Sequence, residues 1–326
     1  MQDIEKKINA VLKIIADAKE PIGSAEISQK LKDYGYDLTE RAVRYHLKIM
    51  NDRGLVKGFW KEGRMITSKG IEELKNSLVS DKVGLVSSRI ETMSYLMDFD
   101  LEKRAGSVIL NISFFHKSEF KKALKIMREV FEKKLGMGKL VFVAQPGEEI
   151  GGVIVPKGKV GFGTLCTINL NGILLKHSIP VESKFGGVLQ IEEGKPTRFT
   201  DLISYAGSTL DPHEIFLRSK MTSVREATSG SGKILAGLRE IPAISRQAAE
   251  TVLVEAEEAG LGNTLYIGRP NQPVLGMLVG VDRVGVVIPG GLNPVAAAEE
   301  WGIETDSRAL TALVDFAQLI SFNKLV

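Results

Sequence analysis

Three cations stand where they could act together on one target. Arg41, Arg44 and Lys48 occur at i, i+3 and i+7, a spacing that places them on one face of a helix. A guanidinium can clamp a phosphate or a base edge with two parallel hydrogen bonds, and an ammonium supplies a point charge. Lys57, Lys61 and Arg64 follow within LVKGFWKEGRMIT, which reads as a hairpin turning near Glu62-Gly63. Cations on such a hairpin suit backbone phosphates. With Thr39 at the start of the helix and Tyr45 on its outward face, these eight residues form the expected DNA-binding set. His46 falls instead on the apolar stripe Ala42, Val43, His46, Leu47 and Met50, where a packed histidine is expected rather than a base reader. Trp60 on the hairpin reads as packing.

The elements that must hold these cations are legible around them. Ile4, Ile8, Val11, Leu12 and Ile15 recur at helical spacing, so residues 3–18 form an amphipathic helix that Glu20-Pro21 ends. Ser24 is placed to cap a second helix carrying Ile27 and Leu31, and Thr39 to cap the third. Residues 70–78 read as a closing helix. Three helices followed by a basic hairpin is the layout of a winged helix, in which the third helix enters the major groove and the wing meets the backbone or minor groove. Residues 1–80 hold 15 Lys/Arg against 12 Asp/Glu, so they carry the whole formal charge of +3, and the local excess over residues 38–69 is eight basic against three acidic. This segment resembles the winged-helix module found at the front of ribonuclease R-type exonucleases. The clustered aspartates of a metal-dependent nuclease do not follow it.

Other chemistry finds little support. SGSGK at 229–233 lacks the glycine at 227 and the hydroxyl residue at 234 that a phosphate loop needs, having Ala227 and Ile234 there. No dinucleotide fingerprint follows a strand. The four histidines are isolated from one another, and one cysteine cannot make a thiolate metal cluster. Cys166, within TLCTINL, reads as buried packing rather than a nucleophile. No catalytic residues, metal ligands or cofactors are therefore expected. A length of 326 residues, 44% hydrophobic and 25% charged, fits two or three soluble domains. The charged opening MQDIEKKINA, the absence of a long apolar run and the single cysteine point to a reducing cytoplasm, with no membrane partner.

Beyond residue 105 the chain repeats itself. A shift of 124 aligns residues 130–184 without gaps, with 11 identities in 55 positions where chance supplies about 4. Gly136/Gly260, Gly138/Gly262, Asn169/Asn293 and Ser183/Ser307 are among them, and FTDLISY at 199–205 matches FAQLISF at 316–322. Each copy reads as a strand, a helix ending at glycine, a strand ending before Pro146 or Pro270, and two strands flanking Lys159-Val160-Gly161 or Arg283-Val284-Gly285. The expected organisation is an α/β (α+β) chain: a winged helix at 1–80, a helical linker or dimerisation segment at 81–105, and a duplicated α/β sensing domain at 106–326. The repeats within it span about 106–205 and 230–322. The linker carries Val86, Ile90, Met93 and Met97 at helical spacing, as a helix docked on the sensor or as a dimer helix.

Two strings then point to a family. GTLCTINLNGILLKHSIPVESKFGGVL at 163–189 and YAGSTLDPHEIFLRSKMTSV at 205–224 resemble the sensor domain of the archaeal nitrogen-regulatory repressors, the NrpR type. The resemblance covers essentially the whole chain. It implies a homodimeric repressor that binds inverted-repeat, double-stranded operator DNA of nitrogen-assimilation genes and is released by a small-molecule effector, 2-oxoglutarate. Some relatives carry two sensor domains and this chain one, which leaves room for a companion sensor-domain protein. A dianionic effector needs converging cations and hydroxyls. The expected set is Lys184, Arg308, Arg218 and Lys220, with Thr164, Ser183 and Ser307, and Cys166 beside them. The alternative for Lys184 and Arg308 is surface pairing with Glu182 and Asp306. Two other classes fit the layout: a metabolite-processing enzyme, or an adaptor, each with an appended DNA-binding domain. RNA is disfavoured as a target, because the basic face lacks stacking aromatics.

Overall fold

The computed structural model describes residues 2–18, 20–59, 62–75 and 84–325. Its contacts divide the chain into two compact units, 1–83 and 84–326. The first is built from α1 (Gln2–Asp17), α2 (Ser24–Leu31), α3 (Glu40–Asp52), the hairpin β1 (Val56–Phe59) and β2 (Gly63–Ile66), and α4 (Ser68–Lys75). Ile8, Val11, Leu12, Ile15, Ile27, Leu31, Val43, Leu47 and Met50 are all buried in one core. That core forms because each helix presents one apolar stripe and the three stripes converge. Thr39 caps α3, its hydroxyl accepting from the Ala42 amide. Ser24 does not cap α2: Gly23 holds that position, and the Ser24 hydroxyl donates to Glu40 instead. The second hairpin strand is anchored to the entry of α2 by paired hydrogen bonds between Ile22 and Arg64.

The second unit opens with α5 (Leu85–Leu96), which packs on a helix of this unit through Val86, Ile90 and Ser94. Residues 76–83 lie outside the described residues. The duplication follows in two passes. The first contains β3 (Ser107–His116), α6 (Lys117–Glu132), β4 (Leu140–Ala144), a small hairpin of β5 (Glu149–Ile150) and β6 (Val153–Ile154), β7 (Lys159–Leu165), α7 (Ile168–Lys176), β8 (Glu182–Glu192) and β9 (Lys195–Ser204). Two short helices, α8 (Pro212–Arg218) and α9 (Val224–Thr228), connect the passes. The second contains β10 (Gly232–Pro242), α10 (Arg246–Glu258), β11 (Tyr266–Ile267), β12 (Arg283–Pro289), α11 (Asn293–Glu300), β13 (Thr305–Asp315) and β14 (Ile320–Ser321). Lys159 and Arg283 thus open a single strand in each copy rather than separating two.

The two passes do not make two self-contained layers. Both sheets are five-stranded and antiparallel, in the orders β13-β3-β7-β4-β14 and β11-β12-β10-β8-β9. β8 of the first pass pairs with β10 of the second, and β13 of the second pairs with β3 of the first. Each repeat therefore gives its late strand to the other's sheet. The helices follow, with α6 on α11 and α10 on α7. The match between 199–205 and 316–322 has no topological counterpart, because β9 extends β8 whereas β14 sits on the far edge beside β4.

A buried asparagine locks each sheet at the point where a strand runs out. β7 ends at Leu165, and Asn169 supplies the missing rung: its amide oxygen accepts from Ile109 N (2.8 Å) and its nitrogen donates to Ile109 O (2.7 Å) and Cys166 O (2.8 Å). Asn293 does the same for Leu235 (2.8 and 2.9 Å) and adds Leu135 O (2.7 Å). Both side chains are fully buried, so each satisfies backbone groups that would otherwise be orphaned. The repeated glycines serve turns at some positions, as at Gly152 and Gly276 with φ of +89° and +85°, and close approach at others. At Gly138, whose φ is +125°, a Cβ would stand 2.3 Å from the Gly260 carbonyl oxygen. Asn169→Ala and Asn293→Ala should each lower unfolding stability by about 3 kcal/mol, since each strands several buried backbone groups. Chemical denaturation of the two variants checks this.

Candidate functional site

On the first unit, α3 turns Arg41, Arg44, Tyr45 and Lys48 outward while Val43, His46, Leu47 and Met50 are buried. Tyr45 is 61% exposed, and its ring meets the edge of His46, so it stands at the border of core and surface. Arg44 is held rather than splayed, paired with Glu40 and donating to the Ser24 hydroxyl at 3.3 Å. The hydrogen bonds from Arg44 and Ser24 lower the Glu40 carboxyl below its usual range and so favour its charged form. Lys57 is exposed on β1, its ammonium over the Phe59 ring. Arg64 folds back across the hairpin, donating to Gly63 O, with its guanidinium where a side chain on Gly58 would be. Lys61 and Trp60 lie outside the described residues. Ser24, Arg44, Leu47, Phe59 and Arg64 line a shallow groove between α3 and the hairpin. An exposed cationic helix flanked by a cationic hairpin can follow a phosphate backbone while presenting side chains to base edges.

On the second unit the expected effector cations are scattered. Lys184 on β8 pairs with Glu182 at 2.8 Å, and Arg308 on β13 lies 3.6 Å from Asp306. These two belong to different sheets, and each has the surface-pair geometry. Arg218 lies 3.5 Å from Glu214 at the end of α8, and Lys220 is exposed just beyond it with φ +53°. The hydroxyls go inward instead. Ser307 and Ser113 share a buried hydrogen bond of 2.8 Å, and Thr164 is buried with no partner for its hydroxyl. Cys166 is buried next to the end of β7, and burial pushes its thiol up to about 11, which leaves it protonated and unreactive.

The polar interior of this unit collects around a residue that spacing did not single out. Arg239 on β10 is 1% exposed, and its Nε donates to Asn171 Oδ1 at 2.7 Å. Asn171 in turn donates to the Ser183 hydroxyl at 3.0 Å. Burial pushes the Arg239 pKa down, and the same burial drives Tyr205 well above the usual phenol range. His213 is held neutral by burial and bonds Ala236 O of β10 at 3.1 Å. Asn171 and Ser183, with Glu182, also line a cavity of about 480 Å³ whose facing wall is α5, through Ser87, Ile90, Glu91 and Ser94; Arg239 lies behind Asn171 and does not itself line it. Among the described residues, no group of three or more His, Cys, Asp or Glu could hold a metal ion, and no helix is long and apolar enough to cross a membrane.

The specific strings at 205–224 have structural work to do. Asp211 caps α8, accepting from the amides of His213 and Glu214, and Glu214 reaches across to the Ala309 amide. Glu300 gathers the Thr222 hydroxyl and the amides of Val224 and Arg225, while the Arg225 guanidinium lies over Trp301. The connection between the repeats is thereby pinned to the second pass.

Comparison with known proteins agrees with both units. The model of NrpR regulatory domains NRD1 and 2 matches residues 83–321, and that of the ribonuclease R winged-helix domain matches residues 9–74. The chain is 36% identical to the global nitrogen regulator NrpRI of Methanosarcina mazei, covering 96% of this chain and 97% of that one. It is 33% identical to the global nitrogen regulator NrpR of Methanococcus maripaludis over 95% of this chain but 54% of that longer one. The crystal structure of a nitrogen repressor-like protein from Methanococcus jannaschii matches with a TM-score of 0.63 and 32% identity, covering 73% of this chain and 98% of that one. The chain belongs to the NrpR family of global nitrogen regulators, and as a member of that family with an N-terminal winged helix it is a transcriptional regulator rather than an enzyme.

Proposed function

We propose that this regulator is a cytoplasmic repressor of nitrogen-assimilation genes, bound as a homodimer to an inverted-repeat operator and released by 2-oxoglutarate. The observation that carries the reading is the joining, in one family member, of an exposed cationic third helix to a duplicated domain whose interior is polar and cavity-bearing. A twofold operator calls for a twofold protein, and the exposed Leu85, Tyr95 and Leu96 at the two ends of α5 offer apolar side chains for self-association. A companion sensor-domain protein is compatible with this arrangement.

Release requires that the effector bind the DNA-incompetent state more tightly than the competent one. An effector with equal affinity for both would shift nothing. Adding 2-oxoglutarate to the chain on its own upstream DNA should weaken operator binding at least about tenfold, corresponding to about 1.4 kcal/mol of coupling. Unchanged affinity across a full titration would refute the effector. Arg44→Ala should cost about 1–3 kcal/mol of operator binding without loss of folding. If Arg44 meets a phosphate, the salt slope of binding also falls by about one unit, and if it reads a base, discrimination at one operator position relaxes. Gel-shift titration at two salt concentrations measures both.

A further inference from the structure

Among the described residues, Arg239 is the only Lys or Arg that is buried, and its burial is incompletely compensated. Of its three guanidinium nitrogens, Nε bonds Asn171, whereas Nη1 and Nη2 have no hydrogen-bond partner. No protein carboxylate hydrogen-bonds to it. The field of Asp211 favours the charged guanidinium, but its oxygens accept from the α8 amides; Glu182 pairs with Lys184, and Glu240, the neighbour on the opposite face of β10, accepts from the Gly280 amide. The remaining groups whose fields reach it, Tyr205 and Cys166, are both held protonated by burial. An ionised side chain taken out of water without a partner is a costly arrangement that persists when something else completes it.

The duplication supplies an internal control. Asn169 clamps Ile109 as Asn293 clamps Leu235, so the strand that carries Arg239 has its twin in β3, and the twin of Arg239 is Ser113. Register agrees: Ser113 faces Ser307 across β3 and β13, as Arg239 faces Ser183 across β10 and β8. In the first position two serines satisfy each other at 2.8 Å. In the second, a serine of the same kind faces a guanidinium instead, and the twin of the bridging Asn171 is Val295, a residue that cannot hydrogen-bond. The fold is therefore closed at this place by small hydroxyls, and it does not need a cation. Gly237 makes the room, since a Cβ there would lie 2.7 Å from Nη1.

We infer that Arg239 anchors a carboxylate of a small organic acid that enters through the cavity under α5, with Asn171 and Ser183 flanking it. The two unpartnered Nη atoms form the end-on fork that grips a carboxylate with two parallel hydrogen bonds. The guanidinium sits one hydrogen bond behind the cavity wall, so the Asn171 amide turns aside as the acid enters. This assignment rests on the proposed release by 2-oxoglutarate and locates it in one half of the duplicated unit.

The test is titration calorimetry with thermal unfolding of the full chain, using 2-oxoglutarate, glutarate and succinate as probes. The wild type should bind 2-oxoglutarate and gain thermal stability from it. Arg239→Met should weaken binding about 30-fold or more. Its unliganded Tm should equal or exceed the wild-type value, which a purely structural arginine would not allow. Arg239→Lys should lose at least about tenfold, because an ammonium lacks the fork. Binding within threefold of wild type in Arg239→Met would overturn the site. Should that variant fail to fold, Arg239→Lys and Asn171→Ala decide, and unchanged binding in both overturns it. If 2-oxoglutarate releases Arg239→Met from DNA as it does the wild type, the site falls while the effector reading stands. If glutarate or succinate binds, 2-oxoglutarate does not, and Arg239→Met abolishes that binding, the effector reading falls while the site stands. If none of the three acids binds the wild type, the site is overturned.

Discussion

The exchange of late strands between the two repeats is the constraint on which the sensor half depends. β8 completes the sheet of the second repeat and β13 that of the first, so neither repeat holds a closed set of backbone hydrogen bonds by itself. An unpaired central strand buried in a core is not a stable state, because each orphaned amide and carbonyl carries its own desolvation cost. The two repeats must therefore order together. Asn169 and Asn293 reinforce the exchange from inside, each finishing a ladder where the neighbouring strand stops. The helices are also paired across the repeats, so the two halves share one continuous packed frame.

Upon that near-symmetric frame the chemistry is asymmetric. Ser183 and Ser307 occupy matching places, yet one faces Ser113 and the other Arg239. Duplication gave two equivalent positions, and only one of them carries a charge. The residues that stayed alike, the glycines at close approaches and the two clamping asparagines, maintain the backbone. Lys184 and Arg308 also stayed alike, and both are spent in surface pairs with the acidic residue two places before them. Pairs of that kind contribute little, since water screens both partners.

How much of this is legible in the sequence divides along the range of the interactions. The winged helix is readable because its signals are local: stripes at helical spacing, Thr39 as a cap, a glycine at the hairpin turn. Even there Ser24 misleads, since its hydroxyl is drawn to Glu40, a partner 16 residues away. The duplication is readable because shared turns preserve shared glycines. The strand exchange is not, because antiparallel pairing is set by partners far along the chain and either pairing satisfies the same alternation of side chains. Arg239 left one faint signal, a charge within the apolar run ILAGLREIP. Lys184 and Arg308 occupy equivalent places in the two repeats, whereas the buried cation stands where the repeats differ.

The cavity beneath α5 borders the helix that follows the winged-helix unit in the sequence. α5 is the first element of the sensor unit, it closes one wall of the cavity, and Gly172 lets it lie close, since a Cβ there would stand 2.6 Å from the Met97 sulfur. A ligand that alters the wall alters the helix from which the connection to the winged helix departs. The most direct measurement of this account is amide hydrogen exchange of the full chain with and without saturating 2-oxoglutarate. The account predicts changed protection in α5 and in β8 and β10 around Ser183 and Arg239, with little change at the Ser113–Ser307 pair. Equal changes in the two halves, or none in α5, would contradict it.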